Sequence, residues 1–170
     1  IWCSDNTDAI ERLRIQYGTS FGYPMSSVSA HVSVCPNHQN HRVTPFKTRG
    51  ICAMQGTFGY ELDLSKMTDE EKKMAREQIA FFKEHGKLFQ FGDYYRLTSP
   101  FENRDYTVWE YAAQDGSEAC MSVVYTDMYA NAASEIVKWK GLDPKKVYQM
   151  QLDGEDAGNF SGAALMHAGI

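Results

Sequence analysis

Hydrophobic and polar positions divide the chain into a first part that alternates strand and helix periodicities and a second part of short β-type runs. The apolar residues 1–3 end at the polar run 4–8. Directly afterwards Ile10, Leu13 and Tyr17 recur at helical spacing until a glycine stop. This order of strand, polar loop and helix predicts one βα unit with its polar loop at the carboxyl end of the strand.

Two further strand and helix pairs are predicted before residue 92. Residues 28–34 alternate apolar and polar side chains as a strand does, and residues 44–53 tolerate a short helix. Residues 60–64 predict the third strand. A long helix follows, because Thr68 and Glu71 have the spacing of a capping box at its start.

Turn residues and short β-rich runs replace this alternation after Phe91. We therefore predict an α/β plus all-β chain, in which residues 1–91 form the last three βα units of a (β/α)8 barrel. Residues 92–170 are predicted to form a small antiparallel C-terminal β-sandwich domain. A complete barrel takes about 250 residues, so three units should take roughly 90. The predicted strands of the second part are residues 106–112, 118–126, 134–139 and 147–152.

Charge and composition exclude several classes of function. The net charge of -5, without a Lys/Arg run beyond short pairs, predicts neither a nucleic-acid nor a membrane partner. No apolar run approaches the roughly 20 residues that span a bilayer. The cysteines are spread without a CxxC motif, which favours free thiols and a cytoplasmic location. They are Cys3, Cys35, Cys52 and Cys120.

Two carboxylates in the first polar loop are the strongest candidates for chemistry. Asp5 and Asp8 follow a strand end, where α/β barrels build their active sites. Asp8 also has a structural interpretation, as a cap of the following helix that pairs with Arg12. Asp5 has no equally good structural role. Trp2 is an aromatic residue that could stack on a sugar ring, although such residues more often fill a core.

Two other motifs favour a structural interpretation. Cys35, His38 and His41 have metal-like spacing, but a structural zinc site needs four ligands and the sequence offers no partner cluster. We therefore predict no metal and no cofactor. His31 lies within an apolar strand and is expected to be a hydrogen-bonded core residue rather than a base.

The residues of the first loop resemble a segment of bacterial α-galactosidases of glycoside hydrolase family 36, W-x-S-D-x-x-D-A-x-x-R. Here that segment is residues 2–12. Further stretches are similar to the closing barrel units and the C-terminal β-domain of that family. These stretches are residues 18–24, 32–38, 42–45, 56–62, 140–144 and 161–166.

The resemblance implies a retaining α-galactosidase that acts on melibiose- or raffinose-type oligosaccharides, with Asp5 as the general acid/base. It also suggests Trp2, Asp8 and Arg12 as substrate-binding residues. The family's nucleophile lies in a K-W-D type motif and its sugar subsite in a C-S-G-G-G segment, and neither occurs here. We therefore expect a piece of a longer enzyme that is inactive alone. Family relatives also suggest a homo-oligomer, a tetramer.

A second interpretation stays open at this point. The chain would then be a noncatalytic carbohydrate-binding or assembly module, whose acidic loop is no more than a helix cap. Within the enzyme class, the sequence does not separate galactose from N-acetylgalactosamine substrates, or hydrolysis from transfer, nor does it fix linkage or chain-length preference.

Overall fold

The computed structural model describes residues 1–132 and 135–170. Its first part contains α1, β1, α2, β2, α3 and α4, and its second part contains β3 to β7 and α5. The bounds are α1 Ala9–Thr19, β1 Val32–Ser33, α2 Phe46–Ala53, β2 Tyr60–Glu61, α3 Asp69–Glu84, α4 Gly86–Phe91, β3 Asp93–Arg96, β4 Tyr106–Ala112, β5 Ala119–Tyr125, β6 Val147–Leu152, β7 Glu155–Ser161 and α5 Gly162–His167.

Three extended segments lie parallel to one another in the first part. The amide of Ser29 donates to the carbonyl oxygen of Ile1 over 2.8 Å, which places residues 1–3 beside the segment that leads into β1. β1 in turn pairs with β2 in parallel, with Val32 opposite Tyr60. The three predicted βα units of the barrel are therefore present, with α1, α2 and α3 as their helices.

The three predicted helices and two of the three predicted strands of the first part are confirmed, although the strands are shorter. The prediction of a strand at residues 1–3 is wrong in detail, since these residues form an extended segment outside any strand. The capping box of α3 is present, since the Glu71 amide donates to Thr68 Oγ1 and the Thr68 amide donates back to the Glu71 carboxylate. β1 and β2 each have two residues, against the five to seven that the pattern predicts. The short helix α4 was not predicted.

Antiparallel sheets form the second part, as predicted. β3, β4 and β5 make one sheet, and β6 and β7 make a hairpin of their own. The predicted strand 134–139 is wrong for residues 135–139, which lie outside any strand, while Ser134 lies outside the described residues. The elements β3, β7 and α5 were not predicted. β3 and α5 are short, with four and six residues, and β7 mixes polar residues and glycine without clear alternation.

One hydrophobic core joins the two parts. Leu13 and Val28 from the barrel units pack in the same buried cluster as Trp109, Tyr111 and Val124 from the β-sheet. The sheet therefore supports the helical layer behind the first polar loop. A second buried cluster, formed around Val32 and Phe46, belongs to the first part alone. The predicted division into domains at residue 91 stays a prediction.

A buried carboxyl group lies within the sheet of the second part. Glu110 on β4 is fully buried, and its Oε2 accepts a hydrogen bond of 2.9 Å from the Lys140 amide. Its Oε1 has no hydrogen-bond partner in the described part of the chain. Burial raises the pKa of Glu110 to about 7, and the hydrogen bond from Lys140 opposes this rise.

We expect the stability of this sheet to fall as the pH rises through about 7. The folded protein holds the Glu110 proton up to a higher pH than the unfolded chain, so deprotonation costs roughly 3 kcal/mol of unfolding free energy at full effect. In Glu110→Gln that pH dependence should be absent. Urea midpoints at pH 5, 6, 7 and 8 measure it, with the exposed Glu155→Gln as control. Parallel pH curves for wild type and Glu110→Gln would contradict this expectation.

Candidate active site

Asp5 lies where the first extended segment ends, with its side chain exposed. Its Oδ1 accepts a hydrogen bond of 3.0 Å from the indole Nε1 of Trp2. The carboxyl group takes no part in capping α1 and makes no ion pair within the described residues. It is therefore a solvent-facing carboxyl at the carboxyl end of a parallel strand, supported by one aromatic N–H donor.

The loop that follows β1 holds the backbone around Asp5. Gln39, in the loop after β1, binds the first loop through both atoms of its amide group. Its Nε2 donates to the Asp5 carbonyl over 3.1 Å, and its Oε1 accepts from the Thr7 amide over 3.0 Å. The buried Asn37 donates to Thr7 Oγ1 over 3.0 Å. These contacts fix the position from which the Asp5 side chain projects.

Asp8 is the N-cap residue of α1. It is 2% exposed, and its Oδ1 accepts a hydrogen bond of 2.9 Å from the Glu11 amide as the N-cap of the helix. The same oxygen pairs with the guanidinium of Arg42, rather than with Arg12 as the sequence predicted. The structural interpretation of Asp8 is thus confirmed in its cap, and a contact between Asp8 and substrate stays a prediction.

Arg12 ties two parallel segments to α1. Its guanidinium donates to the carbonyl oxygens of Ser4 at 3.2 Å and Ser29 at 2.6 Å, and its Nε donates to Gln16 Oε1 at 3.2 Å. Arg12 is buried, so these bonds satisfy its charge inside the protein. A contact between Arg12 and a sugar stays a prediction, and its observed contacts all support the fold beside Asp5.

A buried polar chain continues from Arg12 into the second part. Gln16 Nε2 donates to Gln55 Oε1 over 2.6 Å, and Gln55 Nε2 donates to the hydroxyl of Tyr94 on β3, also over 2.6 Å. This network could not be predicted from the sequence, because a glutamine on a helix or in a turn is normally expected to face solvent. It connects the end of the first segment to the β-sheet.

Trp2 stacks on His31, which lies on the neighbouring parallel segment just before β1. The two ring centroids are 5.0 Å apart, and the ring planes differ by 15°. Trp2 remains 53% exposed, so its other face is open to a ligand. A sugar contact by Trp2 stays a prediction, and this exposed face is compatible with it.

His31 differs from its expected role as a satisfied core histidine. Its side chain is 7% exposed, and its Nε2 approaches Glu61 Oε2 at 2.9 Å. This approach is not a hydrogen bond, and Nε2 has no hydrogen-bond partner among the residues described. Burial lowers the pKa of His31, the Glu61 carboxylate raises it, and the Arg12 guanidinium lowers it.

The remaining motifs are structural or unassigned. The guanidinium of Arg49 on α2 is buried and donates to the Ser33 carbonyl at 2.6 Å and to Glu71 at 3.1 Å. Within residues 1–132 and 135–170, no three His, Cys, Asp or Glu side chains come together as metal ligands do. All four cysteines carry free thiols, as predicted.

Two family profiles match the chain. The Melibiase family profile matches residues 1–92, and the profile described as the glycosyl hydrolase family 36 C-terminal domain matches residues 106–170. The chain belongs to glycoside hydrolase family 36. Its fold is therefore a portion of that family's barrel together with its C-terminal β-domain.

Several curated relatives match the chain over its whole length. It is 51% identical over 170 residues to the bifunctional alpha-galactosidase/sucrose kinase AgaSK of Mediterraneibacter gnavus, covering 100% of this chain and 18% of that protein. It is 48% identical over 169 residues to the alpha-galactosidase AgaA of Geobacillus stearothermophilus, covering 99% of this chain and 22% of that protein. The chain thus spans about a fifth of the length of these relatives.

Solved structures give the same result. The galactosidase domain of AgaSK superposes with a TM-score of 0.92 at 51% identity, covering 100% of this chain and 23% of that one. A variant of AgaA from Geobacillus stearothermophilus in complex with 1-deoxygalactonojirimycin superposes with a TM-score of 0.92 at 47% identity, covering 98% and 23%. A further variant of AgaA is in complex with raffinose, with the same TM-score and coverage.

The described helices include none with the length and apolar character needed to cross a membrane.

Proposed function

We propose that this chain carries the general acid/base of a retaining α-galactosidase and that the nucleophile belongs to another part of the complete enzyme. The proposed substrates are α-galactosyl oligosaccharides of the melibiose and raffinose type. We further propose a cytoplasmic location and a homo-oligomeric enzyme, a tetramer. Chemistry and specificity would then depend on this chain together with the remainder of the same polypeptide.

One observation carries the assignment of the acid/base. Asp5 is the carboxyl group that projects from the end of a parallel strand without a cap, an ion pair or a buried partner among the described residues. The cap of α1 is supplied by Asp8 and not by Asp5. The α-galactosidase names of the relatives, together with the raffinose complex of an AgaA variant, support the proposed substrate class.

The proposed mechanism assigns two successive proton transfers to Asp5. In the first step the protonated carboxyl donates to the glycosidic oxygen as that oxygen leaves, while the nucleophile attacks the anomeric carbon. In the second step the carboxylate accepts a proton from the water that hydrolyses the galactosyl-enzyme. The two carboxyl groups of a retaining site stand about 5 to 5.5 Å apart, so both face the same anomeric carbon.

The noncatalytic module receives less support from the geometry. That interpretation required the acidic loop to be a helix cap and nothing more. Since Asp8 alone supplies the cap, the loop places a second carboxyl beside an exposed aromatic ring without any structural need for it.

A panel of nitrophenyl glycosides tests the substrate class. The complete enzyme should release nitrophenol from the α-galactoside with a kcat/KM about 10³-fold above that for the α-glucoside, because a site that hydrogen-bonds one hydroxyl configuration rejects the other. Hydrolysis of raffinose to galactose and sucrose should accompany it. Equal rates on both nitrophenyl glycosides would contradict the assignment.

A further inference from the structure

We propose that His31 is a positioning residue for the acid/base, because its ring, set between Glu61 and Trp2, holds the Trp2 indole N–H against the Asp5 carboxyl group. This inference rests on the proposed function, since it assigns Asp5 the acid/base role. His31 itself is not placed in contact with substrate. Its effect passes through the indole ring.

Strand geometry brings these groups together. Trp2, His31 and Glu61 come from three consecutive parallel segments, and successive side chains of a strand point to opposite faces. Val32 and Tyr60, their neighbours in sequence, pack on the helix side. Trp2, His31 and Glu61 therefore occupy the other face, the one that would line the interior of a closed barrel, at the end where Asp5 projects.

The contacts form one continuous path. Glu61 Oε2 lies 2.9 Å from His31 Nε2, the His31 ring stacks on the Trp2 ring at 5.0 Å, and Trp2 Nε1 donates to Asp5 Oδ1 at 3.0 Å. The first two contacts each join one segment to the next, and the third lies within the first segment. The path thus begins on β2 and ends at the carboxyl group that we assign to proton transfer.

The orientation of Trp2 depends on its one packed face. Within this chain about half of the Trp2 surface is exposed, and the ring stacked against the indole is that of His31. His31 is itself restrained, because its side chain is almost fully buried. A buried ring stacked on an exposed one is an arrangement by which a supporting residue can fix a hydrogen-bond donor at a catalytic group.

The test compares leaving groups in the complete enzyme. For His31→Ala we expect about a tenfold loss of kcat/KM on raffinose, whose leaving group needs protonation, the upper end of what an aromatic pair contributes. On a dinitrophenyl α-galactoside, whose leaving group needs little protonation, the loss should stay below about threefold. His31→Phe keeps a flat ring and should restore raffinose hydrolysis to within about threefold of wild type.

Matched variants separate this proposal from a general loss of structure. His167→Ala removes a histidine from α5, which lies in the other part of the chain, and should leave both rates unchanged. Glu61→Gln alters an exposed side chain and should lose activity on raffinose by about threefold, because it removes the charge that faces His31. If His31→Ala does not fold, Glu61→Gln and His31→Phe still carry the comparison.

Two further outcomes distinguish a failure of the positioning role of His31 from a failure of the acid/base role of Asp5. In an Asp5→Ala background, adding His31→Ala should cost nothing further on raffinose, since the group that His31 positions is gone. If Asp5→Ala shows the leaving-group dependence of an acid but His31→Ala reduces both substrates equally, the positioning role is overturned while the proposed function stands. If Asp5→Ala shows no such dependence, the proposed function itself fails.

Discussion

Asp5→Ala in the complete enzyme is expected to lower kcat/KM for raffinose by about 10³-fold, while kcat/KM for a dinitrophenyl α-galactoside falls by about tenfold or less. The sugar leaving group of raffinose departs as a basic alkoxide unless it is protonated. Dinitrophenolate is stable without protonation. Loss of a proton donor therefore affects the first substrate far more than the second.

Steady-state kinetics on both substrates measures this difference. Asp156→Ala is a suitable control, because Asp156 is an exposed carboxyl on β7, in the other part of the chain. Burst kinetics on the activated substrate should show the galactosyl-enzyme accumulating in Asp5→Ala, since its hydrolysis still lacks a base. An equal loss on both substrates would contradict the acid role of Asp5.

The second large effect concerns the chain by itself. The isolated 170-residue chain is expected to have no measurable α-galactosidase activity, because its sequence contains no K-W-D type motif to supply the nucleophile. A lone proton donor cannot form the covalent intermediate of a retaining reaction. The expected loss is therefore complete, whatever the stability of the isolated chain.

Nitrophenol release from a nitrophenyl α-galactoside at high protein concentration measures this activity, and the Asp5→Ala form of the same isolated chain serves as its control. Both should give the uncatalysed rate. Release above that rate that disappears in Asp5→Ala would contradict the prediction, because it would require a complete site within these 170 residues.

Sequence periodicity predicted the helices of the first part better than its strands. The capping box of Thr68 and Glu71 is a local signal, and local hydrogen bonds realise it directly in α3. β1 is shorter than its alternating pattern because its pairing is interrupted, and the bridge between Ser29 and Thr57 stays isolated from the pair of β1 and β2. Residues 135–139 have β-type composition, but β-propensity is decided by pairing, and these residues lie in no strand.

Asp5 could be singled out from the sequence, because a carboxylate after a strand end has few structural uses. The side chains that surround Asp5 could not be predicted in the same way. Trp2 and Asp5 are three residues apart, but the His31 ring that stacks on Trp2 comes from another segment, and its position depends on strand register. Arg42 pairs with Asp8 from 34 residues away, where the sequence suggested the nearer Arg12.

The most direct test of Asp5 as the acid/base is the configuration of the product that azide forms with Asp5→Ala. Azide needs no proton removed, so it should attack the accumulated β-galactosyl-enzyme without a base, accelerate turnover of a dinitrophenyl α-galactoside and yield α-galactosyl azide. Nuclear magnetic resonance of the product distinguishes the two anomers. Formation of β-galactosyl azide would show direct displacement on the substrate, identify Asp5 as the nucleophile and contradict its assignment as the proton-transferring carboxyl.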